Sequence, residues 1–292
     1  MSELSISIRR WRVGVLIVSA VTTTGLLSGC GSTAASRPFA TASASPRISP
    51  TVTPTIIIPG DANGPVNVQV AIDRTPILAG GGLANAYAAA ADSAAGLTVA
   101  RGGTLTISVF GRVGARPLTV FQATMPPLSQ EGEAVRGGDE ATWRGEIDAA
   151  VSVAVGLAKA NPTVADELAG LTDGTGSDVA RALAYQLETQ PVDRTTPDVI
   201  EIITNGLVNE HSLHLLAGIS NGKPNRELAA RITREANVAS GTRRASLVRI
   251  GPVGLTSGQP QLGPLLTRNL IACWTLALQS LPIDEVQVGA TL

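Results

Sequence analysis

Two short stretches leave little choice of fold. Val66-Asn-Val-Gln-Val-Ala-Ile72 and Val199-Ile-Glu-Ile-Ile203 are each apolar along most of their length. Each also ends in oxygen-bearing residues, Asp73-Arg-Thr75 in the first case and Thr204-Asn-Gly206 in the second. A strand that is apolar on both faces needs cover on both faces, which is the situation of a parallel strand inside an α/β sheet. Such sheets present ligand sites at the C-terminal ends of their strands. Asp73 and Thr75 therefore stand where a site is expected.

The segments after Thr75 alternate in the same sense. A Gly-rich turn, Gly80-Gly-Gly82, precedes an alanine-rich helix from about Leu83 to Ala95. Thr104–Phe110 alternates as a strand, and Leu118–Ala123 reads as a third strand at an edge. Pro126–Gly138 reads as a polar loop, followed by a helix over Trp143–Ala160 with Ile147, Val151, Ala154, Val155 and Ala158 at helical spacing. Further helices are predicted over Pro162–Leu171, Val179–Thr189, Arg226–Ala239 and Leu265–Leu281, with a strand at Leu247–Ile250. Ser177 or Asp178 is placed to cap the helix at Val179. Strands alternating with helices predict a doubly wound α/β domain with a mostly parallel sheet, over residues 66–292.

The chain ahead of Val66 has a different character. Arg9, Arg10 and Arg12 precede the apolar run Val13–Leu27, which is too short for the roughly 20 residues of a bilayer span. With Leu27-Ser-Gly-Cys30 after it, this stretch resembles the signal peptide and lipobox of bacterial lipoproteins. The resemblance implies removal of residues 1–29 and acylation of Cys30 by palmitate-type chains. It also implies retention on the extracytoplasmic face of a bacterial membrane, with the bilayer as partner. Two chains are what stable anchoring takes. Residues 30–65 are rich in Ser, Thr, Ala and Pro and read as a tether, able to span roughly 100 Å if extended. With Cys30 so used, Cys273 has no disulfide partner and reads as a buried small hydrophobe.

Composition narrows the function. The net charge is −1, no Lys/Arg run stands out, and aromatics are 3% of the chain. These figures argue against nucleic acid as a partner. Gly218-Ile-Ser-Asn-Gly222 matches a nucleophile elbow as a string, but both histidines, His211 and His214, lie upstream of it. A serine hydrolase is accordingly the weakest reading, and the domain is expected not to be an enzyme.

Asp73-Arg-Thr75, then Gly174-Thr175 before a helix, then Thr204-Asn-Gly206 after a buried strand follow one another in an order that resembles the von Willebrand factor A-like fold and its metal-ion-dependent adhesion site. The resemblance covers roughly residues 66–281. It implies that Asp73, Thr75, Thr175 and Asn205 converge at a partner-binding or metal site, with Asp73, Thr75 and Thr175 as ligands of Mg²⁺ or Mn²⁺. Two departures stand out: Ile77 occupies the place of the motif's second serine, and Asn205 that of its aspartate. With one carboxylate where the motif has two, metal is expected to bind weakly or not at all. The implied function is a tethered module that holds a protein or envelope component. The alternative is a structural lipoprotein whose metal site is inactive.

Overall fold

The computed structural model describes residues 64–78, 83–112, 114–126, 133–171, 177–190, 195–210, 213–255 and 262–290. The elements run β1 (Asn67–Asp73), α1 (Thr75–Leu78), α2 (Leu83–Arg101), β2 (Gly103–Phe110), β3 (Leu118–Met125), α3 (Glu133–Ala154), α4 (Pro162–Gly170) and α5 (Val179–Glu188). There follow β4 (Asp198–Ile203), the short pair β5 (Asn209–Glu210) and β6 (Leu213–His214), α6 (Leu215–Ser220), α7 (Asn225–Ala236), β7 (Ala245–Gly251), α8 (Pro264–Leu278) and β8 (Ile283–Val288).

Six strands form one sheet in the order β3-β2-β1-β4-β7-β8. Every neighbour is parallel except the β2–β3 pair. The chain thus builds outward from β1 to β3, returns to the other side of β1 at β4, and continues to β8. The order reverses between β1 and β4, so the crevice of this doubly wound fold opens at their C-terminal ends.

Both central strands are buried at every residue, as their apolar runs require. Alternation sends their side chains to two separate cores. Val68, Val70, Ile72, Val199 and Ile203 join the core under α2 and α3. Ala71, Ile200 and Ile202 join the core under α5, α7 and α8, which also encloses Trp274 and Cys273. Burial pushes the Cys273 thiol up to about 11, so it sits there as a neutral apolar group. Ile202→Ala is expected to cost about 2–5 kcal/mol, read as a lower urea midpoint at unchanged slope. A loss under about 1 kcal/mol would mean that the site collapses to fill the void.

β4 and β7 carry an unusual guest among these apolar residues. Glu201 and Arg249 face each other in register, 0% and 3% exposed. Arg249 reaches both Glu201 oxygens through Nη1 alone, at 3.1 and 3.3 Å, and its Nε is buried without a hydrogen-bond partner among the described residues. Burial, opposed by the Arg249 charge, pushes the Glu201 carboxyl up to about 7.

The helix expected over Trp143–Ala160 is displaced: it starts at Glu133, inside the stretch expected as loop, and ends at Ala154. The glycine pair Gly137-Gly138 hides the start in the sequence. The stop comes from Gly156, whose φ of +77° is a left-handed helix terminus. The helix at Leu83 runs on to Arg101, past the expected Ala95. β8 is an addition, weakly marked because Asp284-Glu285 interrupts its alternation at the sheet edge. The β5–β6 pair and α6 were also unmarked.

Candidate functional site

Asp73 ends β1 with its carboxylate wholly buried. Oδ1 accepts from the Ser177 hydroxyl at 2.7 Å and from the Thr75 backbone N–H at 3.1 Å. Oδ2 accepts from the Thr204 hydroxyl at 2.7 Å. One side chain therefore ties together the end of β1, the segment that leads into α5, and the end of β4. Burial is the larger influence on its acidity and the three donors oppose it, so the carboxyl is pushed up to about 6.

The neighbouring groups are arranged by the same local logic. The Thr204 hydroxyl also accepts from the Gly206 N–H at 3.1 Å, and Asn205 Oδ1 accepts from the Leu207 N–H at 3.0 Å. These side-chain bonds to the backbone two residues on turn the chain away from β4. Gly206 has φ +71°, and a Cβ there would lie 3.1 Å from Trp274 Nε1. That same nitrogen donates to the Gly206 carbonyl at 2.9 Å. On the other side Asp178 caps α5, accepting from Arg181 N–H through Oδ1 and from Gly114 N–H through Oδ2. The Gly114 contact ties the β2–β3 turn to the start of α5.

Tyr87, on α2, is fully buried, and among the described residues its hydroxyl has no hydrogen-bond partner of acceptable geometry. Burial first, then the Asp73 charge, push its ionisation well above the ordinary phenol range, against the nearby Asn205 amide.

Of the four residues expected to converge, Asp73, Thr75 and Asn205 lie on or next to the paired ends of β1 and β4. Thr175 lies outside the described residues. The partners that hold Asp73 in place are Ser177, which was not expected at the site, and Thr204, which belongs to the expected strand-end loop but was not singled out as a site residue. The signal for both was present: hydroxyl residues flank the Gly-rich loop and the end of the β4 run.

The oxygens expected for a divalent ion are largely engaged elsewhere. Both Asp73 oxygens accept internal donors, and Asn205 Oδ1 holds the Leu207 amide. Ile77 packs into the core under α2 and α3. Among the described residues no three His, Cys, Asp or Glu side chains form a metal-holding group. A tight Mg²⁺ site wants several free hard oxygens about one point, and the described residues of this donor set do not supply them.

The nucleophile-elbow string fails on geometry. Gly218 and Ser220 lie within α6 instead of at a strand-to-helix turn. Gly218 packs closely on α7, and a Cβ there would meet Leu228 Cδ2 at 2.7 Å, so that side chain would have to shift. His214 is exposed at the end of β6, and His211 lies outside the described residues.

The sheet order, its one antiparallel edge strand and the loops gathered at the switch point define an α/β domain of von Willebrand factor A-like architecture. No family model and no curated protein matches the chain. Similar solved structures include an aerotolerance-related membrane protein from Bacteroides fragilis, at 12% identity and TM-score 0.36 over 76% of this chain and 91% of that one. BatB from Bacteroides thetaiotaomicron is similar at 10% identity and TM-score 0.32 over 77% and 90%. Proximal thread matrix protein 1 of the mussel byssus follows at 10% and 0.34 over 74% and 48%.

Proposed function

We propose that the chain is a membrane-tethered binding module that engages a protein or cell-envelope partner through the crevice at the ends of β1 and β4. The observation that carries this reading is the Asp73 clamp. It holds three loops by buried hydrogen bonds, so the surface they form is set before any partner arrives, and preorganisation of that kind favours binding. In this reading Cys30 is acylated and residues 30–65 hold the domain on the extracytoplasmic face. Among the described residues no helix is long and apolar enough to cross a membrane.

The engagement of the Asp73 and Asn205 oxygens favours metal-free binding, with Mg²⁺ or Mn²⁺ held weakly at most. Detergent-solubilised full-length protein, used as bait in envelope extract, tests both points. Capture should be lost when the crevice is blocked by Thr75→Trp, a change at a half-buried residue next to the end of β1, and should survive EDTA. Capture unaffected by Thr75→Trp, in a variant that still melts cooperatively, would move the binding surface elsewhere. Loss with EDTA would restore the metal.

The tether has its own test. Cys30→Ala is expected to leave the full precursor uncleaved, seen as the intact mass in fractionated cells. Normal cleavage and membrane retention of that variant would refute lipidation.

A further inference from the structure

The end of the sheet opposite the crevice carries a cavity of its own. It has a volume of about 470 Å³, within the range that holds a small ligand. It lies where α7 and α8 end and β7 and β8 begin. Leu281, Val238 and Pro282 give it an apolar side. The rest is polar, from Arg234 in the last turn of α7 and from Asn237, Ser240, Thr242 and Ser280.

Two helix C-termini meet here, which by itself favours a cation. Their carbonyls are spent, however. Thr233 O accepts from the Asn237 N–H at 3.2 Å, and Ala236 O from Arg181 Nη1 at 3.4 Å. Ala277 O accepts from the Ser280 hydroxyl at 2.7 Å, and Leu278 O from the Leu281 N–H at 3.0 Å. In the turn that follows α7, Ala239 O takes both the N–H and the hydroxyl of Thr242, at 3.2 and 2.8 Å. What remains is donors. Among the described residues the N–H groups of Ser240 and Gly241, the Ser240 hydroxyl and the Asn237 side-chain amide make no hydrogen bond.

The charges sort the same way. Arg243 is paired with Asp198 at 2.8 Å, Arg244 with Asp284 at 2.5 Å and Arg231 with Glu227 at 2.9 Å. Glu188 accepts from the Ala239 N–H at 3.0 Å. Arg234 is exposed, and among the described residues its guanidinium meets neither a carboxylate nor a carbonyl. A free guanidinium beside neutral N–H and O–H donors is the complement of a phosphate. A cavity of this size holds more than a bare phosphate, and its apolar side suits a short carbon skeleton.

The chain enters the domain at this same edge. Gly64 O accepts from Arg101 Nε at 2.7 Å, and the Val66 N–H donates to Gly102 O at 3.0 Å, where β1 begins. β1 and β8 stand three strands apart, roughly 14 Å. A tether drawn from this edge brings it to the bilayer ahead of the crevice.

Resting on the tethered reading above, we propose that this cavity binds the glycerophosphate headgroup of an anionic phospholipid, with Arg234 on the phosphate and the Ser240–Gly241 turn beside it.

The test is arginine side-chain NMR on the full-length chain in neutral-detergent micelles at constant ionic strength. The Arg234 Nε signal is identified by its loss in Arg234→Gln. It should shift saturably with glycerol 3-phosphate, and again as phosphatidylglycerol is mixed into the micelles, but not with glycerol or diacylglycerol. Measured by the rise in melting temperature, glycerol 3-phosphate should bind Arg234→Gln at least about tenfold more weakly than the native chain. Arg268→Gln, at an exposed arginine of α8 outside the cavity, should bind it as the native chain does. The same melting curves show that each variant folds. No saturable shift, equal response to glycerol, or equal weakening in Arg268→Gln would overturn the proposal. Inorganic phosphate bound as tightly as glycerol 3-phosphate would remove the glycerol from it. A shift with the soluble ester and none with phosphatidylglycerol would rule out the bilayer as the source. The tethered reading fails by a separate measurement, the mass of the Cys30→Ala precursor, on which the Arg234 titration does not depend.

Discussion

Glu201→Leu alone is expected to destabilise the domain by about 3–5 kcal/mol, whereas Glu201→Leu combined with Arg249→Met should recover most or all of that loss. The single change removes the anion beside a guanidinium that is 3% exposed in the sheet interior. A charge so placed has neither water nor a counter-ion. The double change removes both charges and fills the same space with apolar side chains between Val199, Ile203 and Leu247. The pair is a weak one, since only Nη1 of Arg249 is used and Nε is buried without a partner among the described residues. Its removal therefore sacrifices little attraction and relieves two desolvation costs. Urea unfolding of the two variants and of Arg249→Met alone closes the double-mutant cycle. A double variant no more stable than the worse single one would mean that the pair contributes specific stability to this sheet.

The second large effect is one of pH. Asp73 moves from an ordinary 3.8 up to about 6 on folding, and Glu201 from 4.5 to about 7. In both cases the folded chain holds its proton at a pH where the unfolded chain has released it. By linkage, their contribution is fully present below the unfolded values and is lost as pH rises through the folded ones. The domain should therefore lose stability from about pH 4 to pH 7. A buried carboxyl that binds its proton about a hundredfold more tightly in the folded chain contributes roughly 3 kcal/mol to this slope.

Asp73→Asn should flatten the lower part of that slope. It should cost little at pH 5, because the carboxyl protonated there already presents a donor and an acceptor, as the amide does. Chemical denaturation at half-unit pH steps measures both. Rising stability across this window, or an unchanged slope in the variant, would show that the Asp73 carboxyl is not held protonated by its burial.

The parts of the fold legible in the sequence were those that burial writes into periodicity. Val66–Ile72 and Val199–Ile203 are paired parallel strands at the sheet centre, as their largely apolar character required. β8 was not legible, because an edge strand is half solvated and Asp284 and Glu285 break its pattern. The start of α3 was masked by glycines that a packed helix overrides. At the site, Asp73, Thr75 and Asn205 stood out as strand-end residues, but the clamp did not. Ser177 binds Asp73 from 104 residues away and Thr204 from 131, and no local pattern encodes such a partnership.

Those separations bear on how the chain acquires its site. Contacts that close long loops are entropically late, and parallel pairings of distant strands slow folding. The Asp73 bond to Thr204 can form only after β4 has docked beside β1, and the bond to Ser177 only after the segment leading into α5 has, with more than a hundred residues of chain already gathered in each case. Nascent or truncated chains that end before β4 would expose Asp73 as an ordinary ionised carboxylate on an unfinished sheet. The crevice is in that sense a certificate of completed folding: a partner that recognises it selects finished molecules and ignores the precursors.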